Sequence, residues 1–201
     1  MSKALLVGTP NSGKTALFNR LTGLNQRVAN YPGITVDISV GRMKGVEDWD
    51  LVDFPGTYSL RSISDEERVA VAHFETSLAD TEVGHVMCVV DATRLEKSLF
   101  FCLQVIRECR RHNRPMTVVA NMGDILKKHR LSIDVEGLST TLAVPVVLVS
   151  ARTGEGVAHL LTSLASSTPI SEAISVAEQT PVLARDRASE GTSFPGAALE
   201  D

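Results

Sequence analysis

The chain predicts an α/β fold: a mostly parallel, six-stranded sheet with helices on both faces. Three observations carry that expectation. Short apolar runs that suit strands recur along the chain, and amphipathic stretches that suit helices separate them. The runs Ala4–Val7, Val86–Val90, Met116–Ala120 and Val144–Val149 are apolar throughout rather than alternating, as strands covered on both faces require. At Gly8 the first run passes straight through a glycine-containing turn into a helical pattern.

Ala4–Val7 reads as the first buried strand and Ala16–Leu21 as the amphipathic helix after it. Asn25–Gly33 is polar and has no period. Thr35–Gly41 alternates as a strand does, and a short turn at Lys44–Gly45 joins it to a strand over Asp48–Asp53. Ser64-Asp65-Glu66-Glu67 fits a capping box and opens a helix reaching His73 or beyond. Val86–Val90 is the next buried strand. Leu95–Arg111 reads as a long helix whose last turn is rich in arginine, as the macrodipole favours. Met116–Ala120 and Val144–Val149 complete the strands, and a helix over Val157–Leu164 follows. Ligands bind such sheets at the carboxyl ends of the strands.

The 201 residues suffice for one α/β domain, and the 43% hydrophobic fraction is that of a globular protein. A net charge of −4 argues against bulk nucleic-acid binding, which needs a basic face. No apolar run approaches the roughly 20 residues that span a bilayer. Lys3 is followed by only five weakly apolar residues before the turn, so no secretory leader is expected. Cys88, Cys102 and Cys109, an odd count without ligand spacing, are expected to be reduced packing residues in a cytosolic protein. Composition changes after Thr168. The stretch from Pro169 holds three prolines and two glycines among small polar residues. The expected organisation is one domain over 1–168 and a linker-like tail, or the stub of a helical region, over 169–201.

Gly8-Thr9-Pro10-Asn11-Ser12-Gly13-Lys14-Thr15 fits G-x-x-x-x-G-K-[ST], the phosphate-binding P-loop. With a strand before it and a helix after it, the loop N–H groups and the helix N-terminus converge on an anion, with Ala16 in the first turn. Gly8 and Gly13 allow angles and close approaches that a Cβ blocks. Lys14 suits the β- and γ-phosphates, and the Thr15 hydroxyl suits Mg²⁺.

The remaining motifs fall at strand ends. Asp53-Phe54-Pro55-Gly56 closes a strand, placing a carboxylate within reach of Mg²⁺ through water and the Gly56 N–H toward a γ-phosphate. Thr35 can complete the Mg²⁺ shell only with a triphosphate, which makes Asn25–Thr35 a candidate switch. Asn121-Met122-Gly123-Asp124 offers the Asp124 carboxylate to guanine N1–H and the exocyclic amine, with Asn121 bracing the loop. Ser150-Ala151 ends the next strand, and the Ala151 N–H suits guanine O6.

In this order the five motifs resemble those of the Ras-like, translation-factor-related P-loop GTPases, over Lys3 to about Ser166. The segment NQRVANYPGITVD (Asn25–Asp37) with DFPGTYSL (Asp53–Leu60) is similar to the N-terminal G domain of the bacterial ferrous iron transporter FeoB. Thr9, Ala29, Tyr31 and Phe54 replace the family's asparagine, glycine, tryptophan and leucine. That resemblance implies a Mg²⁺-dependent GTPase binding GTP and GDP, at the cytoplasmic face of the bacterial inner membrane. Its partner is the rest of a membrane iron transporter, and a homo-oligomer is compatible with it. FeoB G domains continue into a helical domain and a membrane region, whereas here only the short tail follows, so the chain is expected to correspond to the G domain alone. Thr57 stands where Ras-like enzymes place a water-orienting glutamine, which implies slow hydrolysis. In potassium-activated relatives an asparagine at the Asn11 position helps hold K⁺ beside the phosphates, so the expected catalytic set is Asn11, Lys14, Thr35 and Gly56.

Two other readings share the nucleotide motifs: a soluble GTPase of ribosome or tRNA biology, and a nucleotide sensor with negligible hydrolysis. The five scattered histidines lack ligand spacing. Asp65, Glu66 and Glu67 fit a helix's first turn rather than an iron site, and Arg107, Arg110, Arg111 and Arg114 fit a solvated helix end.

Overall fold

Alternating side-chain direction along the buried strands decides how the layers form. In the computed structural model, which describes residues 2–23, 26–29, 38–61 and 65–165, Leu5 and Val7 of β1 (Ser2–Gly8) face one side of a sheet, and Ala4 and Leu6 face the other. The first side packs on Phe74 and Leu78 of α2 (Asp65–Ala79) and on Phe101, Val105 and Ile106 of α3 (Leu95–Arg111). The second packs on Leu17, Phe18 and Leu21 of α1 (Lys14–Thr22) and on Leu160 and Leu164 of α6 (Val157–Ala165). Each fully buried side chain of this size is worth about 1.5–3 kcal/mol, so both apolar faces drive the sandwich.

The remaining strands are β2 (Gln26–Ala29), β3 (Ile38–Arg42), β4 (Trp49–Asp53), β5 (Val83–Asp91), β6 (Met116–Asn121) and β7 (Val146–Leu148). The order is β2-β3-β4-β1-β5-β6-β7, parallel from β4 through β7 and antiparallel in β2–β3–β4. All six expected strands are present, and the short β2 extends the count among the described residues to seven. Gln-Arg-Val-Ala carries no alternation; its strand is an edge held by the ladder to β3, with Gln26 opposite Gly41 and Ala29 opposite Ile38. The third strand begins at Ile38 among the described residues, because 35–37 lie outside them.

Helix α3 has the bounds the sequence predicts. Two helices had no sequence expectation: α4 (Gly123–Lys128) and α5 (Val135–Leu142). The start of α5 carries a readable signal, since Asp134 Oδ1 accepts from the Gly137 N–H at 2.8 Å. Ser64 and the tail 166–201 lie outside the described residues, as does the boundary expected at 168. No helix among the described residues is long and apolar enough to cross a membrane.

Candidate functional site

Parallel register brings the motifs to one edge. Leu6 stands opposite Asp53, Gly8 opposite Val89, and Asp91 opposite Asn121, so β1, β4, β5 and β6 end together. The cleft there has a volume of about 420 Å³ and is lined by Thr9, Pro10, Asn11, Gly13, Lys14, Thr15, Ala16 and Gly56. That is the size range of small-molecule sites.

The end expected to hold phosphate is built from backbone. Asn11 sits at the loop apex with φ +63° and is exposed. Gly13 has φ +81°, and a Cβ there would stand 2.2 Å from Asn121 Nδ2, so only glycine satisfies both the angle and the contact. Ser12 is buried, and its Oγ has no hydrogen-bond partner among the described residues. A Cβ on Gly56 would lie 3.1 Å from Pro10 N, so the turn after β4 rests on the P-loop itself. The Thr57 N–H reinforces this by donating to Gly8 O at 3.3 Å. Thr57 is buried, and its hydroxyl donates to Ser59 O at 2.9 Å.

Lys14 and Asp53 meet. Lys14 Nζ donates to Asp53 Oδ1, with both side chains nearly buried, at 10% and 12% exposure. Burial pushes the Asp53 carboxyl above its usual range, against the pull of the Lys14 ammonium. Thr15 is exposed at the start of α1. Thr9 is buried, and its Oγ1 lies 3.3 Å from Ser98 Oγ on α3. Thr35 lies outside the described residues.

The end expected to hold the base is built from side chains. Asn121 is buried; its Nδ2 donates to Ser12 O at 3.0 Å and its Oδ1 accepts the Ala151 N–H at 2.9 Å. One amide thus ties the P-loop to the loop after β7. The Ala151 N–H expected at guanine O6 is engaged by this amide. Met122, with φ +72°, turns the chain into α4 and presents Asp124. Asp124 Oδ1 accepts from Ser150 Oγ at 2.7 Å, and Oδ2 accepts from Arg152 Nε at 2.8 Å. The Ser150 hydroxyl first, and Arg152 after it, hold the Asp124 carboxyl below its usual range.

Sequence reasoning missed two arginines. Arg20, on α1, donates from Nε to Ala151 O and from Nη2 to Arg152 O at 2.6 Å. It acts across the whole domain, and no local pattern marks it. Arg152 carries only a faint signal, a basic residue directly after Ser-Ala.

The sequence profile of a family described as "Ferrous iron transport protein B" matches residues 2–164. The chain belongs to that family. The Fe(2+) transporter FeoB of Leptospira biflexa is 41% identical over 161 residues, covering 79% of this chain and 22% of the relative. FeoB of Salmonella typhimurium is 41% identical over 160 residues, covering 77% and 20%. The chain therefore spans about a fifth of the length of the curated FeoB proteins it matches. Among solved structures, a GDP-bound mutant of S. thermophilus NFeoB superposes with a TM-score of 0.73 at 40% identity, covering 84% of this chain and 62% of that one. NFeoB from S. thermophilus bound to GDP.AlF4⁻ and K⁺ gives 0.70 at 40% identity, covering 85% and 63%. The cytosolic domain of L. pneumophila FeoB gives 0.71 at 36% identity, covering 84% and 70%. The fold is accordingly the Ras-like α/β G domain.

Proposed function

We propose that this chain is a guanine-nucleotide switch domain that binds GTP and GDP, hydrolyses GTP slowly, and regulates ferrous iron uptake through a membrane permease region of a longer FeoB protein. One observation carries the nucleotide reading. The P-loop, the Asp53–Gly56 turn and the Asn121/Asp124/Ser150 cluster converge at one sheet edge and are bonded to each other there. GDP in the S. thermophilus structures supports it. The family match favours this reading over a ribosome- or tRNA-associated GTPase.

The loop N–H groups and the α1 N-terminus bind the α- and β-phosphates. Lys14 exchanges its Asp53 partner for the β- and γ-phosphates. Asp124 accepts from N1–H and the 2-amino group, which adenine cannot offer together. Thr15 and Asp53 supply the hydroxyl and carboxylate oxygens a hard cation takes, and Thr35 joins them with a triphosphate. Mg²⁺ held there would offset charge on the phosphates. Asn11, exposed at the loop apex and lining the cleft, suits a K⁺ ion beside the β–γ bridge, as the K⁺ in one NFeoB structure supports. With threonine rather than glutamine at position 57, no side-chain amide there orients the attacking water, and hydrolysis is slow.

Phosphate release from GTP, measured in matched KCl and NaCl buffers, tests the switch. Turnover well below the roughly 1 s⁻¹ lower bound of common enzymes, faster in KCl and dependent on Asn11, is expected. Thr35→Ala lowers the rate and spares GDP affinity. No turnover in either salt leaves a nucleotide sensor, and equal rates remove the potassium role.

A further inference from the structure

Arg152 stands where guanine recognition needs Asp124 to be open. Its Nε donates to Asp124 Oδ2 at 2.8 Å, and Nη2 lies 2.8 Å from the same oxygen. The other oxygen accepts from Ser150 Oγ. A carboxylate has about four acceptor sites. The two guanine donors need one on each oxygen. The Ser150 hydroxyl takes one site of Oδ1 and can stay. A guanidinium with two nitrogens on Oδ2 fills that oxygen. Its backbone is anchored, because Arg20 donates to Ala151 O and Arg152 O, and a Cβ on Gly154 would come within 2.8 Å of Arg20 Nη1. The exposed part is the Arg152 side chain, at 77%, over an Asp124 side chain only 13% exposed.

We propose that Arg152 is an internal competitor for guanine: its guanidinium occupies the Oδ2 edge of Asp124, yields when nucleotide binds, and recloses as nucleotide leaves. This rests on the guanine reading of Asp124. The competition weakens guanine affinity and speeds release, because the departing base hands the carboxylate to a waiting partner instead of leaving it unpaired. An ion pair with so exposed an arginine is worth about 1 kcal/mol or less, a several-fold effect that tunes binding without abolishing it. Lysine lacks the planar fork and competes less well.

The test is stopped-flow release of ribose-labelled fluorescent GDP, chased with unlabelled GDP, from the full chain and from Arg152→Gln and Arg152→Lys. Pyrophosphate affinity with Mg²⁺ and the melting temperature are read alongside. Arg152→Gln is expected to release about fivefold more slowly, with Arg152→Lys between it and the parent, at unchanged pyrophosphate affinity. An unchanged rate overturns the proposal. A faster rate also overturns it, because Arg152 then holds the bound nucleotide. Absence of saturable labelled-GDP binding to the parent defeats the guanine reading and the proposal with it, a result distinct from either change in rate.

Discussion

The two ends of the cleft solve the same problem differently. At each, an aspartate assigned to the ligand side is paired with a cation of the chain. At the phosphate end Lys14 and Asp53 are both nearly buried, and the surroundings are backbone: the Gly8–Gly13 loop, the α1 N-terminus and the Gly56 turn resting on Pro10. At the base end Arg152 is mostly exposed, and the surroundings are side chains from α1, β6, α4 and the loop after β7. The first pair is costly to break; the second is adjustable. A phosphate grip built from backbone varies little with sequence, whereas a base grip built from side chains can be tuned one residue at a time.

The largest expected effect breaks the phosphate end. Lys14→Ala removes the phosphate ligand and leaves Asp53 buried without its cation, a change of about 3–5 kcal/mol for a buried pair. GDP affinity is expected to fall at least about a hundredfold, and thermal melting to drop as well. Titration calorimetry and a melt check both. A melt equal to the parent's means that Asp53 is adequately solvated without Lys14.

Asp124→Asn breaks the base end alone. It puts an amide donor toward guanine's donors and costs about two orders of magnitude in GTP affinity. Pyrophosphate binding is expected to be unchanged, which separates the two ends. An equal loss for pyrophosphate would show that the ends act as one unit.

A pH titration of stability sharpens the contrast from outside the cleft. His85, near the start of β5, is buried with Nε2 3.0 Å from Thr117 Oγ1 and Nδ1 without a partner among the described residues. Burial lowers its pKa to about 4, so below about pH 6.5 the unfolded chain binds the proton first. Stability is full above about pH 6.5 and declines as pH falls toward 4, by about 2 kcal/mol between pH 7 and 5. Urea unfolding at the two pH values measures it, and His85→Gln is expected to flatten that dependence.

The smallest expected effect loosens the base end without touching Asp124. Arg20→Gln frees the Ala151 and Arg152 carbonyls and is expected to speed labelled-GDP release about threefold to tenfold, in keeping with about 0.5 kcal/mol for each of the two hydrogen bonds, the low end of the range. The conservative Arg20→Lys should recover part of the loss.

This contrast also explains what the sequence reveals. Glycines and a lysine at fixed spacing announce the phosphate end, because backbone geometry demands those residues in adjacent positions. The strands of the core are legible because both of their faces are apolar. The edge strand β2 is not, because Gln26–Ala29 owe their pairing to β3 rather than to their own pattern. Helix α4 follows a left-handed Met122 that no propensity foretells. Asp124 is legible from its motif, but its partner Arg152 and the anchor Arg20 meet the base loop only through the tertiary fold. The pairing of Lys14 with Asp53 is likewise invisible in a motif that assigns each to a ligand.

The central claim is that this edge of the sheet holds a guanine nucleotide, and competition binding tests it most directly. Labelled GDP is bound to the chain with Mg²⁺, then displaced by GTP, GDP, ATP or ADP. Displacement by both guanine nucleotides, with the adenine nucleotides weaker by about a hundredfold or more, is the predicted result. Equal displacement by ATP and GTP would contradict the account.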